Sequence, residues 1–163
     1  WAKNVPISPM AELLLFNASR ANLVDAVVRP ALETGKIVIC DRFVDSTVAY
    51  QGYGRRLDLA TVKSACDTAT RGLKPDLTVL LDVPVEEGLR RKATRRGHDR
   101  FEQADVSFHN RVRQGFLNMA KDERSRWLVV DGTCPKDEVK WIIWQNVERL
   151  LASGYGRRED NIV

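Results

Sequence analysis

An apolar run, Ile37-Val38-Ile39-Cys40, leads straight into Asp41-Arg42 and then Phe43-Val44-Asp45-Ser46. An arginine at such a point suits phosphate, because its planar fork of donors matches phosphate oxygens, and a neighbouring aspartate can hold a Mg²⁺ directly or through water. A purely structural Asp-Arg ion pair at a strand end has the same residue pattern. A second constellation follows at once. Ser46 and Tyr50 are spaced i,i+4, as are Thr47 and Gln51, which gives a short helix a polar face. Gln51 can pair with donor and acceptor positions of a base, and Tyr50 can pack on a sugar and crowd out a ribose hydroxyl. Phe16 and Arg20 share the same spacing on an earlier helix. An aromatic beside an arginine can stack a base and hydrogen-bond its edge or a phosphate, although a core Phe beside a solvated Arg is the commoner use of that spacing. A third group is basic: six of the chain's 26 Lys and Arg residues lie from Arg90 to Arg100, interrupted by Gly97. Such a segment suits a lid that closes over phosphates, although a charge run is more often a solvated face. In phosphoryl transfer the protein chiefly positions reactants and neutralises the transferring group, so lid arginines are a plausible catalytic device.

The elements that must position these residues can be read from punctuation and periodicity. Ser8-Pro9 followed by Glu12 is a helix start, with Ser as N-cap and Pro in the first turn. That helix is expected to run to about Val24, with Pro30 limiting any continuation. Residues 36 to 43 read as a buried parallel strand after the turn at Gly35-Lys36, and strand ends of this kind form the ligand crevice of open α/β sheets. Asp45 to Gln51 reads as a short helix broken by Gly52-Tyr53-Gly54, and Leu57 to Thr70 as an amphipathic helix. Leu77 to Val83 is a second strand and Pro84-Val85-Glu86-Glu87 opens a helix leading into the basic segment. Phe108 to Ala120 is a helix, Trp127 to Gly132 a third strand, and Asp137 to Leu151 a last helix with Val139, Ile142, Ile143, Val147 and Leu150 on its apolar side. Strands alternating with helices of this length imply one α/β domain built on a parallel sheet with right-handed crossovers. The tail from Ser153 to Val163 has no clear periodicity.

Composition narrows the class. At 163 residues, 44% hydrophobic and 29% charged, the chain has the make-up of a soluble globular domain with a sizeable core. A formal charge of +4 would suit a polyanionic partner, but the excess is small and partly local, which points to one anion site more than to a nucleic-acid face. Cys40, Cys66 and Cys134 are an odd number at wide spacing, with no CxxC, so a reducing cytosol is the simplest setting. No apolar run approaches the roughly 20 residues needed to span a bilayer.

The run Ala11-Glu12-Leu13-Leu14-Leu15-Phe16-Asn17-Ala18-Ser19-Arg20, then Asp41-Arg42-Phe43 with Asp45-Ser46-Thr47-Val48-Ala49-Tyr50-Gln51-Gly52, resembles bacterial thymidylate kinase. Lys74-Pro75-Asp76-Leu77-Thr78, Leu81-Asp82-Val83-Pro84 and Asp99-Arg100-Phe101-Glu102 strengthen the match, in the family's order and over nearly the whole chain to about Leu151. The resemblance implies an ATP- and Mg²⁺-dependent transfer to dTMP that makes dTDP for dTTP synthesis, by a cytoplasmic homodimer formed through helices such as that from residue 9 to 24. It implies a three-layer P-loop kinase fold of the nucleoside monophosphate kinase type, a parallel sheet with flanking helices, over residues 1–152, with the lid at about 90–102. By similarity Phe16 stacks on thymine, Arg20 contacts the nucleotide, and Arg42 beside Asp41 bridges donor and acceptor phosphates. Ser46, Thr47, Tyr50 and Gln51 line the thymidine pocket. Arg95 is the first choice for the lid's catalytic arginine, with Arg91, Arg96 and Arg100 in support. One departure is large: no G-x-x-x-x-G-K-[ST] occurs in the chain, because Gly35-Lys36 lacks a glycine five residues before it and is followed by Ile37. The expectation is therefore a fragment of such a kinase, lacking the family's first strand and phosphate loop and inactive as it stands. Two rivals share parts of the pattern: another deoxynucleoside or nucleoside monophosphate kinase, and a non-catalytic basic module that binds nucleic acid or nucleotide through residues 90 to 100.

Overall fold

The computed structural model describes residues 6–93 and 106–154. Ser8 caps the first helix, its hydroxyl accepting from the amide of Ala11 at 3.2 Å, and Pro9 enters where no intrahelical N–H is needed. Helix α1 (Pro9–Leu23) does not stop short of Pro30. It passes through one π turn, Val24–Val28, into α2 (Arg29–Glu33). A proline ring inside an α-helix strikes the carbonyl four residues back. The turn before Pro30 is wider, with the amide of Arg29 bonding the carbonyl of Val24, so the rod continues through the proline. The rod ends at Gly35, whose φ of +73° is a left-handed cap conformation suited to glycine.

Residues 36 to 43 are not a strand. The segment is irregular, Ile37 is 70% exposed and Ile39 90% exposed. An apolar run becomes a strand only when another strand faces its N–H and C=O groups, and among the described residues none does. Among the described residues the sheet has two strands: β1 (Thr78–Asp82) pairs in parallel with β2 (Trp127–Asp131), Thr78 opposite Trp127 and Asp82 opposite Asp131.

Beyond the irregular segment, α3 (Val44–Thr47) runs without a break into a π-helical stretch, Val48–Gly54. Gly52-Tyr53-Gly54 is therefore helical, and the turn that ends the stretch has the amide of Arg55 bonding the carbonyl of Tyr50 at 2.8 Å. Helix α4 (Leu59–Thr70) is capped by Asp58, whose carboxylate accepts from the amide and hydroxyl of Thr61, each at 2.8 Å. The remaining described elements are α5 (Val85–Ala93), α6 (Val106–Asp122) and α7 (Lys136–Ala152). The core lies where α1, the π-helical stretch, α4, α6 and the start of β2 meet, around Leu13, Ala49, Val62, Cys66, Phe108, Val112 and Trp127. The expected apolar side of α7 is only half-buried, and Trp141 and Trp144 on that helix are exposed. No helix among the described residues is long and apolar enough to cross a membrane.

Candidate functional site

Arg20 is the centre of the cluster. On α1 it lies one turn beyond Phe16 and reaches across to the start of α3. Its Nη2 donates to Thr47 Oγ1 at 2.7 Å and to the Phe43 carbonyl at 3.3 Å, and Nη1 donates to Asn17 Oδ1 at 2.9 Å. The guanidinium also lies 5.7 Å from the centre of the Phe43 ring. Burial pulls its pKa below the ordinary guanidinium value, with Cys66 and Asp45 opposing the shift, so the charge is held in a partly desolvated setting where a second anionic or carbonyl partner is welcome. Phe16 is 43% exposed and offers an open aromatic surface on the same helix face.

Arg42 has φ +68°. Among the non-glycine residues with positive φ, Arg71 is the left-handed cap of α4, but Arg42 comes just before a helix and caps nothing. The left-handed conformation costs a non-glycine residue roughly 1–2 kcal/mol, and such strain concentrates where geometry serves function. Here it turns the guanidinium over the ring of Tyr50, 4.9 Å from its centre. Tyr50 is fixed in turn by edge contacts with Phe108 at 6.1 Å and Phe116 at 6.4 Å. Ser46 is half-buried beside them and Asp41 is exposed.

The other expected members of the polar face are placed differently. Thr47 is 2% exposed and its hydroxyl is bound to Arg20, so it sets that guanidinium's position. Gln51 is 1% exposed and its Nε2 donates to Glu12 Oε1 at 2.7 Å, so base pairing by Gln51 would require that buried bond to break. Glu12 also accepts from Arg55 Nε and Nη2, each at 3.3 Å. Arg91 on α5 donates to the Gly132 carbonyl at 2.8 Å and to Glu87 at 2.7 Å, at the carboxyl end of β2. Arg90 and Arg91 together hold the Glu87 carboxyl down at about 2. Arg95, Arg96 and Arg100 lie outside the described residues.

Two features carry no local signal in the sequence. Asp45 is gripped bidentately by Arg126, at 2.7 and 2.8 Å, with the Thr78 hydroxyl donating to the same carboxylate at 3.0 Å. Asp82, at the end of β1, is gripped in the same way by Arg113 at 2.7 and 2.8 Å, and those hydrogen bonds lower its pKa. Among the described residues no three His, Cys, Asp or Glu side chains are grouped to hold a metal ion.

Arg20 and Arg42 are thus brought to the two sides of Phe43, one partly desolvated and bonded to the start of α3, the other strained and stacked on Tyr50, while Phe16 lies exposed one turn from Arg20 on α1. Comparison with known proteins gives the family. The family model described as thymidylate kinase matches residues 2–143. A thymidylate kinase of Deinococcus radiodurans is 53% identical over 143 residues, covering 88% of this chain and 69% of the relative. One of Dehalococcoides mccartyi is 52% identical over 151 residues, 93% of this chain and 72% of the relative. One of Geotalea uraniireducens is 48% identical over 159 residues, 94% of this chain and 75% of the relative. With a family model spanning most of its length and relatives at about half identity over two thirds or more of theirs, the chain belongs to the thymidylate kinase family.

Proposed function

We propose that the chain provides the acceptor side of a phosphotransferase that moves the terminal phosphoryl group of ATP to an oxygen of the dTMP phosphate, releasing ADP and dTDP. The observation that carries this reading is that Arg20 of α1 is bonded to the Phe43 carbonyl and Thr47, directly beside Arg42, whose guanidinium stacks on Tyr50. Phe16 offers a face for thymine. Arg20, clamped by Thr47 and Asn17, has donor capacity left for the base edge or the phosphate. Arg42, strained and exposed, presents its fork toward phosphate, and the Tyr50 ring beneath it is a wall that a 2′-hydroxyl would crowd. Binding and orienting the acceptor is most of what a phosphoryl-transfer protein does for its substrate.

Mg²⁺ needs no all-protein cage in such chemistry, since it is held by one or two carboxylates with waters and substrate phosphates. The exposed carboxylate of Asp41 beside Arg42 fits that requirement, and the ion would neutralise charge on the transferring group. Arg95, with Arg91, Arg96 and Arg100, is the proposed source of further cations over the phosphates; Arg91 already sits near the strand ends. The 163 residues contain no Gly-rich phosphate-loop motif, so this chain alone is expected to bind dTMP without turning it over. A homodimer through α1 is part of the same reading, and Met10 and Leu14, one turn apart on that helix, are exposed apolar side chains. The three-layer kinase sandwich and a cytoplasmic setting are parts of the same reading.

The test is calorimetric binding of dTMP to the chain, followed by dTMP-dependent ADP release from Mg-ATP. Turnover is measured on the chain alone and on the chain fused to the portion of the Deinococcus kinase that it does not span. Binding by the chain with turnover only in the fusion is the expected result. No saturable dTMP binding by a folded chain would overturn the reading.

A further inference from the structure

We propose that Asp45 and Arg126 are positioning residues for the acceptor site: the buried fork between them sets the direction of α3 and so aims Arg42 and Tyr50, which stand at its two ends. The inference rests on the reading that this segment binds dTMP. Helix α3 has four residues and runs without a break into the π-helical stretch, whose Val48 and Ala49 are anchored in the core, while its other end opens onto the irregular segment that holds the left-handed Arg42. Core packing holds the far end of this rod; its first turn is held by polar contacts. Two guanidiniums supply them. Arg20 takes one side, through Thr47 Oγ1 and the Phe43 carbonyl. Arg126 takes the other, its Nη2 on Asp45 Oδ1 at 2.7 Å and its Nη1 on Asp45 Oδ2 at 2.8 Å. Arg20 belongs to the binding face; Arg126 reaches the site only through Asp45.

Arg126 is itself immobilised from four directions. Its Nε donates to Glu123 at 2.6 Å and its Nη1 to Thr78 Oγ1 at 2.8 Å. The guanidinium lies 5.1 Å from the centre of the Trp127 ring, and its own carbonyl accepts from the amide of Thr78 at 2.7 Å, where β1 and β2 begin. Asp45 is 6% exposed, and the Arg126 side chain 13%. A buried ion pair of this kind is weak evidence for stability, since apolar side chains of similar volume can fill the space as well. What they cannot reproduce is a planar, two-bond geometry that fixes distance and angle together. The sheet thus serves as the reference frame for the short helix.

The experiment compares Arg126→Lys, which keeps the charge and loses the fork, with Arg113→Lys, the same change at the Asp82 fork. Thr78→Val removes one hydroxyl and is the gentler probe should Arg126→Lys fail to fold. Two readouts are taken on the whole chain: amide hydrogen exchange, which needs no ligand, and the Kd for dTMP. Arg126→Lys is expected to speed exchange of the amides from Arg42 to Gln51 at least tenfold and to raise the dTMP Kd at least tenfold. Thr78→Val should move both readouts the same way by a smaller factor. Arg113→Lys, at a similar loss of thermal midpoint, should leave both within twofold. Unchanged exchange in the 42–51 segment of Arg126→Lys, or of Thr78→Val where only that variant folds, overturns the clamp; faster exchange with an unchanged Kd overturns its role in recognition. Failure of the unmutated chain to bind dTMP would instead sink the substrate reading, and the exchange result would still decide the clamp.

Discussion

Replacing Gly54 by alanine would set a methyl carbon 2.6 Å from Phe108 Cε2, 2.8 Å from Val112 Cγ2 and 3.0 Å from Phe108 Cζ. Carbon atoms prefer about 3.5–4.0 Å, so roughly 1 Å must be found at the seam between the π-helical stretch and α6. Neither neighbour can swing into solvent, because Phe108 is 4% and Val112 5% exposed. Phe108 also carries the Tyr50 edge on one side, while the Arg55 guanidinium lies 5.0 Å from its ring centre. Overpacking of this type costs about 1–3 kcal/mol, and the helical preference of alanine over glycine returns up to about 1 kcal/mol. A net loss of up to about 2 kcal/mol follows, which should lower the thermal midpoint by as much as a few degrees in a domain of this size. Gly88 is the internal control. It lies in α5 with nothing within 4 Å of where a Cβ would stand, so Gly88→Ala should gain about 1 kcal/mol. Urea unfolding followed by tryptophan fluorescence reads both variants on one scale. Because Tyr50 leans on Phe108, Gly54→Ala should also weaken dTMP binding in the fraction that remains folded. A Gly54→Ala midpoint equal to or above that of Gly88→Ala would refute the packing argument.

Arg42→Gly separates strain from use: glycine tolerates φ +68°, so stability should hold or rise by about 1 kcal/mol while dTMP affinity falls, whereas a loss of both would mean that Arg42 is a structural residue. Phe16→Ala should weaken dTMP binding by about 1–3 kcal/mol, the usual range for a base-stacking aromatic, with little change in unfolding because the ring is already exposed; an unchanged dTMP constant counts against stacking. The carboxyls of Glu87, Asp82 and Glu123 are all lowered by hydrogen bonds from Arg90 and Arg91, Arg113 and Arg126 respectively. A depressed acid contributes stability above its unfolded pKa of about 4 and loses it as pH falls through the folded value. The thermal midpoint should therefore decline below about pH 4.5 and continue to fall toward pH 2, where Glu87 titrates. Glu87→Gln should flatten the lowest part of that curve, and an unaltered profile would remove Glu87 from the account.

Local signals were read correctly where the physics is local. Ser8-Pro9 starts a helix by capping, and Thr78–Asp82 and Trp127–Asp131 are strands. The apolar run at 37 to 40 misled because β-propensity is a property of the run, while strand formation is a property of its neighbour. The polar face from Ser46 to Gln51 was harder. Thr47 and Gln51 carry the groups a ligand would want, but each is claimed by a residue 27 or 39 positions away, Arg20 and Glu12. Asp45, which drew no attention beyond its motif, is claimed across 81 positions by Arg126. Residue type and spacing indicate which side chains could meet a nucleotide. The distant partner decides which of them are spent holding the helix still, and in the proposed site it is the exposed Phe16 and Arg42, with the remaining donors of Arg20, that face a substrate.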